Sequence, residues 1–214
     1  MIRPSGVPIL RPEDPLPDPE TAAEDGLVAI GGGLSVERLR EAYSKGIFPW
    51  SARPATWWSP DPRAVFDLER GVRVSRRLAQ RIRQGRYRVT RDAAVGAVVE
   101  RCAGVPRADG GTWISPPIAA AYKRLHEAGD AHSVEIWNEH GALAGGIYGV
   151  ASGGCFSGES MFHTETDASK LALYHLAEHL RAAGFALFDS QALNPFTQQM
   201  GAVAIPRAEF LARL

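Results

Sequence analysis

The hydrophobic and polar positions of the N-terminal part predict one short strand followed by one helix. Residues 27–30 form an apolar run that ends in three glycines, which predicts a strand. Ser35 is a good helix N-cap, so we expect a helix over residues 36–44 that stops at Gly46. Residues 1–25 are rich in Pro, Asp and Glu and are expected to be extended.

The next segment, IFPWSARPATWWSPDPR at residues 47–63, contains three of the five tryptophans and four prolines. Proline interrupts regular structure, so the segment is predicted to be rigid and aromatic, without helices or strands. We expect it to close a small N-terminal domain near residue 62. The second domain then comprises residues 63–214.

Residues 70–91 predict a helix followed by a strand. Ser75 caps a helix of about ten residues that ends at Gly85, with Leu78 and Ile82 on its buried side. Its other faces carry Arg76, Arg77, Arg81 and Arg83. The following RYRVT alternates between polar and apolar residues, as a half-buried strand does.

The remaining pattern predicts an α+β fold. Helices are expected over residues 92–103, over 118–127, and from a cap at Thr166 and Asp167 to about residue 183. Strands are expected over residues 133–137, 142–151, 155–162 and 185–189. The order strand, strand, strand, helix, strand is typical of acetyltransferase-like domains of the GNAT superfamily. We therefore expect a small N-terminal α/β domain followed by such an α/β-layer domain.

Charge is unevenly distributed along the chain, although 24 basic residues balance 24 acidic ones. Nine arginines, and no Asp or Glu, fall within residues 70–91, so the rest of the chain is net acidic. Such a cationic block predicts a surface that binds a polyanion, either nucleic acid or phosphate. A solvated helix face is the alternative, although such faces usually mix both signs of charge.

The composition, 45% hydrophobic and 22% charged, is typical of a globular protein. No apolar run approaches the roughly 20 residues that span a bilayer, and the N-terminus lacks the apolar centre of a secretory signal. Cys102 and Cys155 belong to no C-x-x-C motif, which favours a reducing compartment. We expect a cytoplasmic protein that does not bind membranes.

Two kinds of site stay open as alternatives. The segment His175–His179 matches H-x-x-E-H, in which two imidazoles one helical turn apart bind zinc, whereas surface histidines are the simpler interpretation. A coenzyme A-dependent N-acetyltransferase would fit the order of strands. Such enzymes hold the pyrophosphate in a Gly-rich turn at a helix N-terminus, and no such turn precedes residue 167.

Asp189, Ser190 and Gln191 follow the last buried strand, where active sites often form. A carboxylate and an amide two residues apart on a strand point to the same side. A polar strand end is the alternative interpretation. No G-x-S-x-G motif supports Ser190 as a hydrolase nucleophile.

Nine motifs resemble those of bacterial leucyl/phenylalanyl-tRNA–protein transferases, in the same order over residues 26–211. They are GLVAIGGGLS, EAYSKGIFPW, WWSPDPRAVF, GTWISPP, AHSVEIW, GGIYGV, SGESMFHTETDASK, FDSQ and MGAVAIPRAEFL. WWSPDPR and GESMF followed by DASK are the most specific. The resemblance implies transfer of Leu or Phe from its tRNA to the N-terminal amine of a protein. The acceptor usually begins with Arg or Lys and is then degraded.

The resemblance also implies the partners and their contacts. Aminoacyl-tRNA and acceptor N-termini are the expected partners, with no cofactor and no metal, and we expect a monomer. Arg76, Arg77, Arg81 and Arg83 would bind tRNA phosphates without reading sequence. Trp50 and Trp113 match positions that hold the 3′-terminal adenosine, and base stacking on an aromatic ring contributes about 1–3 kcal/mol.

Three polar residues match the family's reaction site. Asp189 corresponds to a carboxylate proposed to assist the amine, with Gln191 beside the reacting carbonyl; a tRNA hydroxyl that relays the proton is the alternative. Glu159 matches an acidic residue that orients an ammonium or a basic acceptor side chain. The donor side chain would occupy an apolar pocket formed by Ile147, Met161, Leu173, Leu176, Leu180 and Phe188.

Some residues differ from the usual family pattern. Gly33 replaces an Asp, His163-Thr164 replaces Ser-Arg, Phe196 replaces a His and Met200 replaces a Leu. These differences leave the choice of acceptor open, including transfer of Leu to N-terminal Asp or Glu. A non-catalytic RNA-binding protein is a further alternative, because the cationic block would bind uncharged tRNA equally well.

Overall fold

The computed structural model describes residues 6–105 and 111–214, which form two β-sheets and the helices around them. The strands are β1 (Ile9–Leu10), β2 (Leu27–Gly31), β3 (Phe48–Ala52), β4 (Ala55–Trp58), β5 (Arg63–Phe66), β6 (Arg88–Arg91), β7 (Ala131–Trp137), β8 (Leu143–Ser152), β9 (Cys155–His163), β10 (Leu187–Gln191) and β11 (Val203–Ile205). The α-helices are α1 (Val36–Ser44), α2 (Arg76–Gln84), α3 (Val95–Ala103), α4 (Pro116–Glu127), α5 (Ala168–Ala182), α6 (Pro195–Gln199) and α7 (Arg207–Arg213).

The smaller sheet has the strand order β1-β2-β4-β3. Its strands β3 and β4 lie within the proline-rich segment, so the prediction that this segment lacks regular structure is wrong. Pro49 fits on β3 because β3 is an edge strand, where one side of the backbone needs no ladder hydrogen bond. Within the part of residues 1–25 that the structure describes, only β1 and a 3₁₀ helix at Pro19–Thr21 are regular.

The larger sheet has the order β11-β5-β10-β9-β8-β7-β6. Strands β9 and β10 are parallel and are joined through α5, whereas the other neighbouring strands are antiparallel. The predicted sequence of three strands, a helix and a strand is therefore confirmed. The predicted α+β class is confirmed as well.

The helix boundaries follow local chemistry. Ser75 accepts a hydrogen bond from the Leu78 amide at the start of α2, and Gly85 ends the helix with φ +58°, as predicted. Helix α4 begins at Pro116, before the predicted Ile118, because a proline in the first turn gives up only an N–H that has no helical partner.

The predicted side-chain cap of α5 is wrong. Asp167 stands at the N-cap position with φ +70°, but its side chain makes no capping hydrogen bond. Its carboxylate instead pairs with Arg77 Nε at 2.8 Å and with Lys170 Nζ at 3.5 Å. Because Arg77 lies on α2, this ion pair ties the arginine-rich helix to the start of α5.

The large sheet is buried on both faces. Ile147 and Tyr148 are neighbours on β8, yet they enter different hydrophobic clusters. The Ile147 cluster includes α5, and the Tyr148 cluster includes α1, α3, α4 and the small sheet. The two sheets therefore share a core, and the domain boundary near residue 62 stays a prediction. No helix within the described ranges is long and apolar enough to cross a membrane.

Candidate active site

A cleft of about 930 Å³ opens where β9 and β10 separate. The two parallel strands pair only as far as Asp189 and Ser157, and beyond that point β9 continues with β8 alone. Residues 158–164 form one wall of the cleft, and α3, α5 and α6 supply the others. The start of α5 lies directly on β8, since a Cβ on Gly145 would come within 2.9 Å of the Ala168 backbone.

Part of the cleft lining is apolar. Four of the six predicted pocket residues line it: Ile147, Met161, Leu173 and Phe188. Leu176 and Leu180 are buried in the core of the α5 face and do not line the cleft. Phe66 and Phe196 line it as well; the sequence analysis did not assign either to the pocket.

Asp189 lies beneath the cleft and is fully buried. It accepts two hydrogen bonds from Arg63, Nε to Oδ1 at 2.8 Å and Nη2 to Oδ2 at 2.7 Å. Ser157 Oγ donates to Oδ2 at 3.0 Å, and the Gln191 amide donates to Oδ1 at 2.8 Å. Four donors therefore fix this carboxylate, and its charge is matched by a guanidinium that is itself 1% exposed.

Arg63 connects Asp189 to distant parts of the chain. Its Nη1 donates to the Gly46 carbonyl at 3.0 Å, and its guanidinium carbon lies 4.9 Å from the Phe48 ring centre and 4.5 Å from that of Phe210. Arginine over an aromatic ring is an attractive arrangement when desolvated. This arginine stands in the motif WWSPDPR, but its role could not be predicted, because no local pattern reveals a partner 126 residues away.

Glu159 lies on β9 and lines the cleft. Tyr122 donates its hydroxyl to Oε2 at 2.7 Å, and Gln191 Nε2 donates to Oε1 at 2.7 Å. Burial raises the pKa of Glu159 to about 7, against the opposing effect of hydrogen bonds from Tyr122 and Tyr43. A carboxyl group that titrates near neutral pH in a cleft is typical of a functional site.

Gln191 has an unusual backbone conformation, with φ +64° at an irregularity between β10 and β5. A left-handed conformation outside glycine is strained, and such strain concentrates at functional sites. The Asp189 carboxylate holds the Gln191 amide, and Glu159 holds its Nε2. Gln191 itself is half-buried and is not among the residues that line the cleft, and within the described residues its side-chain oxygen accepts no hydrogen bond.

The two predicted adenosine-binding tryptophans lie in different surroundings. Trp113 lines the cleft, with its ring 6.4 Å from that of Tyr122 in an edge-on arrangement. Trp50 is 47% exposed on the small sheet and packs against Phe48 and Trp58, with ring centres 6.0 Å away from each. Trp50 does not line the cleft.

The predicted tRNA-binding arginines lie on α2, next to the walls of the cleft. Arg76, Arg77 and Arg83 are exposed, and Arg81 is half-buried. Arg77 is bound to Asp167, at the start of the helix that supplies Ser169 and Leu173 to the cleft. Just before α2, the Arg73 amide donates to the Met200 carbonyl at 2.7 Å, directly after α6. A further cation, the exposed Arg101, lines the cleft from α3.

The histidines of H-x-x-E-H show no metal-like grouping. Within residues 6–105 and 111–214, no three His, Cys, Asp or Glu side chains are placed to hold one ion. The Nδ1 atom of His179 lies 2.7 Å from Arg91 Nη1, and burial lowers the pKa of both His175 and His179.

Solved structures with a similar backbone are only distantly related. The structure of L-PGS from Bacillus licheniformis matches with a TM-score of 0.43 and 12% identity, covering 74% of this chain and 51% of the other. A GCN5-related N-acetyltransferase from Kribbella flavida matches with a TM-score of 0.41 and 11% identity, covering 77% and 58%. TM-scores this low say nothing about the chemistry of this cleft.

Relatives by sequence are much closer. A leucyl/phenylalanyl-tRNA–protein transferase of Anaeromyxobacter sp. (strain Fw109-5) is 54% identical over 92% of this chain and 85% of its own length. One from Shewanella denitrificans is 48% identical over 96% and 88%. The family model described as leucyl/phenylalanyl-tRNA protein transferase matches residues 65–214, and that of its N-terminal domain matches residues 32–61. The chain therefore belongs to the leucyl/phenylalanyl-tRNA–protein transferase family.

Proposed function

We propose that the chain transfers Leu or Phe from aminoacyl-tRNA to the N-terminal amine of acceptor proteins, which marks them for degradation. The acceptors begin with Arg or Lys. One observation carries the proposal most directly: the cleft that is lined by Ile147, Met161, Leu173 and Phe188 is also lined by Glu159, whose carboxylate holds Gln191. A Leu or Phe side chain and the ester carbonyl next to it then occupy adjoining parts of one cavity.

The donor side chain enters between Ile147, Met161, Leu173 and Phe188. Shape selection in such a pocket is worth about 1–3 kcal/mol per methylene. Side chains without a branch at Cβ are therefore favoured over β-branched ones. The terminal adenosine stacks on Trp113, with Trp50 as a second, more exposed platform. The arginines of α2 bind phosphates of the tRNA body, which makes binding sensitive to salt.

The reaction itself needs positioning more than activation, because an aminoacyl ester is already reactive. The acceptor α-amine has a pKa of about 7.7–8.0, so it is partly protonated at neutral pH. Holding the amine against the carbonyl contributes several kcal/mol through effective concentration. Neither a metal nor a cofactor is required for this step.

The three polar residues of the site have different roles in this reaction. The free oxygen of Gln191 accepts an N–H of the amine, and Glu159 both orients Gln191 and takes up the released proton. Asp189 acts indirectly. Together with Arg63, it holds the backbone of Gln191 in its strained conformation. In this assignment, Asp189 is a positioning residue.

The cleft disfavours coenzyme A as the donor. Its pyrophosphate would lie at the N-terminus of the helix that joins the parallel strands, which is α5. Asp167 stands at that N-terminus, and Glu165, two residues earlier, is held by Tyr87 and Asn138. The start of α5 is therefore occupied by side chains that are already paired, and no Gly-rich turn there leaves backbone N–H groups free for a pyrophosphate.

Location and assembly follow as parts of the same proposal. Charged tRNA is a cytoplasmic donor, and the two thiols, Cys102 and Cys155, are free and buried. We place the reaction in the cytoplasm on that basis. A single chain supplies every residue named in the site, so we propose that the monomer is active.

The test mixes the purified chain with radiolabelled Leu-tRNA and four peptides that differ only in their first residue: Arg, Lys, Asp or Glu. We expect labelled product from the Arg and Lys peptides, and none from an N-acetylated Arg peptide. Labelling of the Asp or Glu peptides would show the alternative acceptor choice. Binding of tRNA with no labelled peptide in any tube would show a non-catalytic RNA-binding protein and overturn the proposal.

A further inference from the structure

We propose that Tyr43, on α1, positions the carboxylate of Glu159 together with Tyr122, so that the N-terminal part of the chain supplies a residue to the transfer site. The inference rests on the proposed function, because it assigns to Glu159 a part in the transfer reaction. It goes further by placing a residue of α1, 79 positions from Tyr122, in control of that carboxylate.

The three side chains form a continuous buried contact. The hydroxyl oxygens of Tyr43 and Tyr122 are 2.7 Å apart, and Tyr122 donates to Glu159 Oε2 at 2.7 Å. Tyr43 is 3% exposed and Tyr122 is 1% exposed, so no competing water layer surrounds these bonds. The other oxygen of Glu159 is held by Gln191. Each oxygen of the carboxylate is therefore held by a neutral donor.

The position of Tyr43 follows from the packing of α1. Leu39, Ala42 and Ile47 are fully buried in the cluster that also contains Tyr122 and Tyr148. The α1 helix therefore cannot move relative to α4 without opening this core. A hydroxyl placed in so rigid a setting is pre-organised, which is the condition for a positioning residue.

The proton balance of the reaction requires a group that removes a proton from the acceptor, and the Glu159 carboxylate is placed to do so. The acceptor arrives as an ammonium with three protons on nitrogen. Glu159 takes one, the new C–N bond forms as the ester C–O bond breaks, the ribose oxygen takes a second proton, and the amide keeps the third. Glu159 then returns its proton to solvent before the next cycle. The carboxyl group must therefore be ionised when the ammonium arrives.

The groups around Glu159 pull its ionisation in opposite directions. Burial raises its pKa, and the charge of Asp189 on β10 raises it further. Hydrogen bonds from Tyr122 on α4 and Tyr43 on α1 lower it, as does Arg63 on β5. Tyr148 on β8 faces the two tyrosines. Burial raises the pKa of both Tyr43 and Tyr122, so they remain neutral donors at working pH. Removing one donor therefore leaves Glu159 protonated over a wider range.

The test compares Tyr43→Phe with the unchanged chain in single-turnover transfer from Leu-tRNA to an Arg peptide between pH 6 and 8.5. We expect the acidic limb of the rate profile to move up by about half a pH unit, which lowers the rate about threefold on that limb. The rate at pH 8.5 and the affinity for tRNA should be unchanged. Titration of the peptide amine is common to both proteins and cancels in the comparison.

Three further variants keep the test decisive. Tyr122→Phe removes the direct donor and should move the limb further than Tyr43→Phe. Tyr174→Phe, on α5 beside His175, is the matched control and should change nothing. Glu159→Gln should abolish the limb assigned to Glu159. An unmoved limb in Tyr43→Phe, an equal loss at every pH, or a normal limb in Glu159→Gln would each overturn the inference. Transfer by the unchanged chain tests the proposed function separately.

Discussion

Asp189 and Glu159 are carboxylates on neighbouring strands, and their surroundings give them different properties. Asp189 is sealed from solvent and bound by a guanidinium, so its charge is matched at 2.7 Å. Glu159 faces the cleft and is held only by neutral donors, and its pKa rises to about 7. A matched buried charge is fixed in place, whereas an unmatched one exchanges protons near neutral pH. In the proposed reaction, Asp189 therefore supports the site and Glu159 exchanges the proton.

The largest expected effect comes from breaking the matched pair. Asp189→Asn keeps the shape of the side chain but leaves Arg63 buried without its counter-charge, which typically costs about 3–5 kcal/mol of unfolding free energy. Urea unfolding at pH 7.5 measures this loss. Glu159→Gln is the matched control and should unfold at or above the midpoint of the unchanged chain. Equal losses in the two variants would remove the distinction between the carboxylates.

The second effect is the pH dependence of stability, which sharpens the comparison. The pKa of Glu159 is raised from 4.5 to about 7 in the folded chain, so its favourable contribution is complete below pH 4.5 and is lost as the pH rises towards 7. That loss is about 3 kcal/mol. Glu159→Gln should not show this loss. The difference in unfolding free energy between the variant and the unchanged chain should therefore change between pH 4.5 and 7. A constant difference from pH 4.5 to 7.5 would contradict the prediction.

A third test compares arginines in two surroundings. Arg63 is buried and paired with a carboxylate, whereas the arginines of α2 lie largely at the surface. Replacing Arg76, Arg77, Arg81 and Arg83 with Gln should weaken tRNA binding by about a hundredfold or more at low salt. The slope of log affinity against log salt should fall by about 3–4. Four exposed arginines elsewhere, Arg11, Arg53, Arg124 and Arg213, provide the matched control. A similar change in slope for both sets would show a general charge effect.

The smallest expected effect concerns the apolar part of the cleft lining. Leu173 lines the cleft, whereas Leu180 lies two helical turns along the same face and is buried in the core. Leu173→Ala should change the ratio of Leu to Phe transfer by about tenfold, since one side chain's shape is worth a few kcal/mol at most. Leu180→Ala should lower the free energy of unfolding by about 2–5 kcal/mol without changing this ratio. Competition between Leu-tRNA and Phe-tRNA in one reaction measures the ratio of Leu to Phe transfer.

Local patterns were sufficient to predict most helices and strands. Caps and glycine stops placed α1 and α2 correctly, alternation predicted β6 and β7, and the turn residues between strands predicted β8 and β9. The segment 47–63 failed because proline was interpreted without knowledge of which strand lies at the edge of a sheet. The Asp167 cap failed because a tertiary partner, Arg77, competes for its carboxylate.

The candidate site divides in the same way. Asp189, Gln191 and Glu159 stand in motifs that carry the family resemblance, so the sequence identified them. Arg63 also stands in such a motif, but its role and that of Tyr122 could not be identified. An arginine after a proline-rich run looks like a surface residue, and a tyrosine on the apolar side of a helix looks like a core residue. Their roles depend on contacts made across 126 and 37 positions of the chain.

The contacts of Arg63 have a consequence for synthesis of the protein. Its guanidinium needs the Gly46 carbonyl, the Asp189 carboxylate and the Phe210 ring, and the last two leave the ribosome long after Arg63 itself. A nascent chain that stops before β10 carries an unmatched cation and lacks the strand that opens the cleft. The cleft can therefore take its final form only after the ribosome has synthesised β10 and Phe210.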